Sequence, residues 1–245
     1  MTDAQWDLAS HAPGWLVRDQ VAHLAHFDEA AAVAMADPDA FRKNAVAARV
    51  SVDRGSYETR YLSRGRAMRP PELRAWWREA GEKLLAAASP INPKARLPWY
   101  GPEMGAATFV TARLMETWSH GLDVVDVVDI PRPDTDRLQH VVFLGVRTRE
   151  FSYRTRGLAP DTTPVHVELT APSGATWTYG DAAADNRITG SARDFCRVVT
   201  QRRNVADTDL QITGPAAQDW MRVAQAFAGP PGDGRQPGQF PKPHP

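Results

Sequence analysis

Two segments with helical spacing carry ionisable side chains where a helix core is expected, and this conflict constrains the fold most. They are Val21-Ala22-His23-Leu24 and Met115-Glu116-Thr117-Trp118-Ser119-His120-Gly121-Leu122-Asp123. Glu116 and His120 are four residues apart, so they lie one above the other on a single helical face. Val110, Leu114, Trp118 and Leu122 place much of that helix in a core. A carboxylate there is costly unless it is paired or metal-bound. With His23 from a second helix, three N/O ligands converge, the usual count at a catalytic zinc whose fourth position stays open. The bland alternatives are a solvated Glu/His surface pair and a helix histidine that only fills space. Arg113, at i,i+3 from Glu116, offers a salt bridge in place of a metal. Spacing alone leaves these readings open.

Asp19 precedes His23 by four residues and Asp123 follows His120 by three. Each is placed to accept a hydrogen bond from the ring nitrogen facing away from a metal, which would fix the tautomer. For Asp19 the competing role is electrostatic support of a helix N-terminus. His26 is the decoy, one turn from His23 but about 60° further around the helix.

At 245 residues the chain can bury a sizeable core. Acidic and basic residues balance at 29 each, which argues against a broad nucleic-acid footprint. The single cysteine, Cys196, excludes an internal disulfide and suits a reducing compartment; its flanks predict a buried apolar role. There is no apolar run of about 18 residues and no signal-peptide pattern, so the expectation is a soluble cytoplasmic protein with no membrane partner.

Helices are expected from Trp15 to about Asp37, from Pro70-Pro71 through Leu85, from Ala106 to Val128 and around Leu138 to Leu144. Residues 39 to 69 are polar and Arg-rich, with weakly specified helical stretches, and 89 to 105 read as loop. After Gly157 the pattern changes. Val165 to Leu169 and Thr176 to Tyr179 alternate with period two around a Pro172-Ser173-Gly174 turn, which predicts a hairpin. A helix near 191 to 202, a strand at Leu210 to Ile212 and a helix at 216 to 228 follow. From Gly229 onward ten of seventeen residues are Pro or Gly, predicting an extended, partly disordered tail. The domains read as 1–156 helical, 157–229 α+β and 230–245 tail.

Gly14-Trp15-Leu16-Val17-Arg18-Asp19-Gln20-Val21-Ala22-His23-Leu24 with Glu116 to Asp123 resembles the metal-binding domain of mycothiol-dependent maleylpyruvate isomerases, within the DinB-like superfamily of helical bundles. Trp99-Tyr100-Gly101-Pro102, Thr200-Gln201-Arg202-Arg203 and Phe227 to Gly232 resemble an uncharacterised actinobacterial branch. The resemblance implies a divalent metal, usually zinc, on His23, Glu116 and His120. It also implies a C-terminal α+β domain related to sterol-carrier-like folds, part of it likened to a wyosine-base-formation domain. The superfamily's bundle normally opens with a long helix before the Trp15 turn, and here only a few residues precede it; the expectation is either a late start, or an exposed groove covered by another segment or by a partner chain such as a second copy in a homodimer.

The function implied is a metal-dependent transferase or isomerase using mycothiol, a low-molecular-weight thiol, on a small electrophilic substrate. Trp99 and Tyr100 are candidates to wall the cofactor pocket, and Arg202 and Arg203 to bind a substrate carboxylate. Two alternatives use the same residues: a metal-dependent hydrolase, and a non-catalytic lipid-binding protein whose metal only braces the helices.

Overall fold

The computed structural model describes residues 1–51 and 54–240, with side chains between 46 and 57 left aside. The chain separates into two compact units, Met1–Pro131 and Arg132–Pro245. No helix among the described residues is long and apolar enough to cross a membrane.

The first unit is a helical bundle: α1 (Val17–Ala36), α2 (Pro38–Ser51), α3 (Arg54–Ala67), α4 (Pro70–Ala88) and α5 (Ala106–Val128). Pro38 and Pro70 each stand at a first helical position, where the missing N–H costs nothing. α1 packs against all four other helices, so it is buried nearly all round rather than along one stripe. Its small residues make that possible: Ala22 and Ala25 are fully buried against Leu73, Trp76 and Ala80 of α4. Trp6, from a short 3-10 turn at Asp3–Asp7, inserts into the same cluster. A second cluster joins Ala31, Met35, Phe41 and Phe109. The segment expected as plain loop contains a two-residue ladder, β1 (Arg96–Leu97) on β2 (Met104–Gly105), which holds Trp99 and Tyr100 against that cluster.

The second unit comprises α6 (Leu138–Arg147), α7 (Arg149–Thr155), β3 (Val165–Thr170), β4 (Thr176–Tyr179), β5 (Asn186–Ser191), α8 (Ala192–Val199), β6 (Gln211–Thr213) and α9 (Pro215–Val223). The β3–β4 hairpin forms as expected, Leu169 facing Trp177. Strand β5 was not apparent in the sequence; it runs parallel to β3 and gives a mixed sheet of order β4-β3-β5-β6. Division by packing falls at Pro131 rather than at residue 156. The reason is α6, which packs on α8 so closely that a Cβ on Gly145 would meet Val199 Cγ2 at 2.8 Å. The tail from Gly229 to Phe240 has no regular element, yet it is tied down. Arg156 and Gln201 donate to the Gly232 carbonyl, Asn204 donates to that of Arg235, and Asp207 accepts from Gly238 N.

Helix α3 meets α1 at Gly65, where a Cβ would lie 2.5 Å from Ala22 Cβ. By helix propensity alone Gly65→Ala stabilises by about 0.5–1 kcal/mol. The close approach reverses the sign: urea denaturation should show a loss of about 1–3 kcal/mol, partly recovered by Ala22→Gly in the same chain.

Candidate metal centre

Helix α1 begins where Asp19 accepts from Leu16 N at 2.8 Å. The same carboxylate is gripped by Arg66 at the end of α3, through Nε (3.0 Å) and Nη2 (2.6 Å). Asp19 therefore fixes the start of α1 and its docking on α3. It is not the partner of His23, and its role is the helix-terminal one. One turn on, His23 points toward α5, where Glu116 and His120 occupy successive turns.

His120 Nε2 lies 3.1 Å from Glu116 Oε2, and His23 Nε2 lies 3.6 Å from the same oxygen. The two imidazole centroids are 4.3 Å apart. One ligand atom from each of the three residues falls within 4.8 Å of the others. The three side chains are 11–19% exposed, so the cluster is largely inside the bundle while each member keeps some exposure to solvent.

The outer nitrogens are held too. His120 Nδ1 is 2.6 Å from Gln20 Oε1, and His23 Nδ1 is 3.3 Å from the Tyr61 hydroxyl. Asp123, expected in Gln20's place, is buried with its carboxylate 3.9 Å from His120 Nδ1, beyond hydrogen-bond reach. Gln20 lies one residue from Asp19 and was missed; no sequence signal singles out an amide in a helix. Arg113, the alternative partner of Glu116, pairs instead with Asp28, at 3.0 Å from Nε and 2.9 Å from Nη2.

Aromatic rings enclose the cluster. Trp15 stacks on His120 at 6.0 Å and 17°, and its Nε1 donates to Glu58 Oε1 at 2.6 Å. Phe27 lies against His23 at 4.6 Å. Behind Phe27 stand Trp99, at 6.0 Å, and Tyr100, at 5.7 Å; Trp99 stacks on Phe41 at 5.6 Å. His26 turns away and stacks on Tyr61. Arg202 and Arg203 belong to the second unit. There Arg202 donates to Thr200 O, and Arg203 donates to Arg202 O and covers the Phe240 ring of the tail.

Burial, reinforced by the neighbouring His120, lowers the His23 pKa to about 3, so the ring is neutral at physiological pH. Burial on its own would raise the Glu116 carboxyl. Hydrogen bonds from His120 and His23 outweigh it and hold that group well below the usual carboxylate range. The cluster thus presents a carboxylate and the Nε2 atoms of two imidazoles whose outer nitrogens have acceptors of their own. Protons on the Nε2 atoms satisfy the carboxylate in the metal-free protein, and a divalent cation among the three groups can take their place. Tetrahedral zinc with N/O ligands at about 2.0–2.1 Å separates those atoms by about 3.3 Å, close to the two spacings from the imidazoles to Glu116. The donor set fits zinc.

Comparisons with known proteins agree with this architecture. The family model for the mycothiol maleylpyruvate isomerase N-terminal domain matches residues 1–125. An uncharacterized protein of Mycobacterium tuberculosis strain H37Rv is 42% identical over 235 residues, covering 94% of this chain and 89% of the relative. Its counterpart in another strain matches equally. The crystal structure of the mycothiol-dependent maleylpyruvate isomerase superposes with a TM-score of 0.51 at 16% identity, covering 83% of this chain and 81% of that one. A mutant of that enzyme matches at 15%. At such identity the likeness establishes the fold.

Burial also lowers the His26 pKa, to about 4. The unfolded chain takes up a proton near pH 6.5 that the folded one refuses, so stability falls as pH drops from about 6.5 to about 4. His26→Phe keeps the ring contact with Tyr61 and should flatten the stability–pH slope of the metal-free protein in that window, as chemical denaturation at successive pH values will show.

Proposed function

The chain belongs to the mycothiol maleylpyruvate isomerase N-terminal domain family, and from that premise we propose that it is a divalent-metal enzyme that uses a low-molecular-weight thiol, mycothiol by family, to transform a small electrophile. The observation that carries this reading is the convergence of His23, Glu116 and His120 within 4.8 Å, on the half of the chain that the family model covers.

When bound there, the metal would supply a positive charge that lowers the pKa of a thiol presented at the open side, giving a thiolate at neutral pH. The chain's own sulfur is unsuited to the task. Cys196 is fully buried and burial pushes its thiol pKa well up, so it stays protonated. A thiol brought in on a cofactor answers that need. The protein's part is to hold the site and keep water down: Gln20 and Tyr61 orient the imidazoles, Trp15 and Phe27 flank them, and Trp99 and Tyr100 wall the approach beyond Phe27. The reaction class is addition of the thiol sulfur to an electrophilic carbon, ending in isomerisation or in a stable conjugate.

Elemental analysis of the purified protein should find about one divalent ion per chain, zinc being the natural choice for an N₂O donor set. His23→Ala, Glu116→Ala and His120→Ala should each lose most of it while keeping their helical circular dichroism. Retention of wild-type metal by all three would refute the site.

In cobalt-substituted protein, mycothiol should bring up a thiolate-to-metal absorption band that is absent from the ligand variants. If activity proceeds without thiol but stops on chelation, the reaction is hydrolysis by metal-activated water and the thiol-dependent reading falls.

A further inference from the structure

Ser10, in the turn that precedes α1, is hydrogen-bonded on every side. Its hydroxyl donates to the Trp15 carbonyl at 2.9 Å, accepts from Ala12 N at 3.3 Å, and accepts from Gln20 Nε2 at 2.9 Å. Its one proton is committed to a carbonyl, which can only accept. With its proton so placed the oxygen accepts from Gln20, whose amide presents its NH₂ to Ser10. The surrounding network thus assigns the orientation of a side chain whose nitrogen and oxygen are otherwise alike in shape. Gln20 Oε1 then faces His120 Nδ1 at 2.6 Å and, being an acceptor, requires a proton on that nitrogen. Gln20 is fully buried, so water does not compete for the contact. A direction of donation thus runs from His120 through Gln20 and Ser10 to the Trp15 carbonyl, and it leaves His120 Nε2 as the nitrogen for a ligand.

We propose that Ser10 and Gln20 are positioning residues that lock the proton of His120 on Nδ1 and so reserve Nε2 for the metal. The inference rests on the metal-site reading for its purpose, though not for its geometry. It gives the residues before α1 a task at the centre: the turn from Ser10 to Trp15 is closed by Ser10 N donating to Trp15 O at 2.7 Å and by Trp15 N donating to Ala12 O at 3.0 Å. The same turn delivers the Trp15 ring to the imidazoles. Only the polarity of the relay matters to its far end, so a change at Ser10 should be felt at His120 although the two do not touch.

Ser10→Ala removes the polar anchor and lets the Gln20 amide turn its NH₂ toward His120. Gln20→Glu replaces that amide with a group that can only accept. Nitrogen NMR of the His120 ring, read in metal-free full-length protein, should show a protonated, pyrrole-type Nδ1 in the wild type. Ser10→Ala should add a pyridine-type Nδ1 population, and Ser10→Ala/Gln20→Glu should restore the wild-type signal. Zinc affinity, measured by chelator competition, should follow the same order, falling on the order of tenfold in Ser10→Ala, as for loss of an outer-shell partner, and recovering in the double variant. A pyridine-type Nδ1 in the wild type, or a Ser10→Ala spectrum unchanged from it, would overturn the relay. Wild-type protein that binds no zinc yet shows the NMR pattern would leave the relay standing and remove the metal reading instead.

Discussion

Everything at the centre of this protein depends on how a buried carboxylate finds its partners. Glu116 sits on the inward face of α5, where an unpaired negative charge would cost several kcal/mol. Arg113, one turn away, is already committed to Asp28. The bundle instead brings two imidazoles to Glu116, one from the next turn of α5 and one across from α1. Removing Glu116 leaves the inner nitrogens of both imidazoles without their shared carboxylate in a site mostly shielded from solvent. The cluster is thus a polar centre that the packing of the bundle has to accommodate.

The geometry that allows this is the narrowness of α1. Alanines at 22, 25, 31 and 34 are fully buried, and Gly65 admits α3 to within contact of Ala22. Thin walls bring α3, α4 and α5 close enough to a single helix for His23 to reach Glu116. Around the polar centre the fold places large aromatic side chains, Trp15, Phe27, Trp99 and Phe109. They exclude water and so strengthen the electrostatic interactions within. The short β1–β2 ladder serves the same end by pinning Trp99 and Tyr100, which a free loop would leave loose.

Much of this was legible beforehand, and the limits have physical causes. Helix α5 could be read from Ala106 to Val128 because its apolar periodicity is long and two prolines follow it. The convergence of His23, Glu116 and His120 could be read because a Glu and a His one turn apart in a core conflict with burial unless something joins them. Strand β5 escaped because Asn186-Arg187-Ile188-Thr189-Gly190-Ser191 has only one large apolar residue; the ladder with β3, not its composition, makes it a strand. The division near Pro131 differs from the expected one at residue 156 because the amphipathic pattern of α6 says that it packs, not against what. The outer partners were misassigned for a similar reason. Asp19 and Asp123 have the right spacing, but Asp19 is taken by Arg66 and the Leu16 amide, while a neutral Gln20 reaches His120 first. Spacing locates a side chain on a helix, whereas competition among neighbours decides which contact it makes.

The central claim is that His23, Glu116 and His120 hold one metal ion with an open position. Anomalous diffraction at the zinc edge, on crystals of protein purified without chelator, tests it most directly. The account predicts a single strong peak among His23 Nε2, His120 Nε2 and a Glu116 carboxylate oxygen, at about 2.0–2.2 Å from each. A peak held by other residues, or no peak in a crystal whose three side chains keep this arrangement, would contradict it.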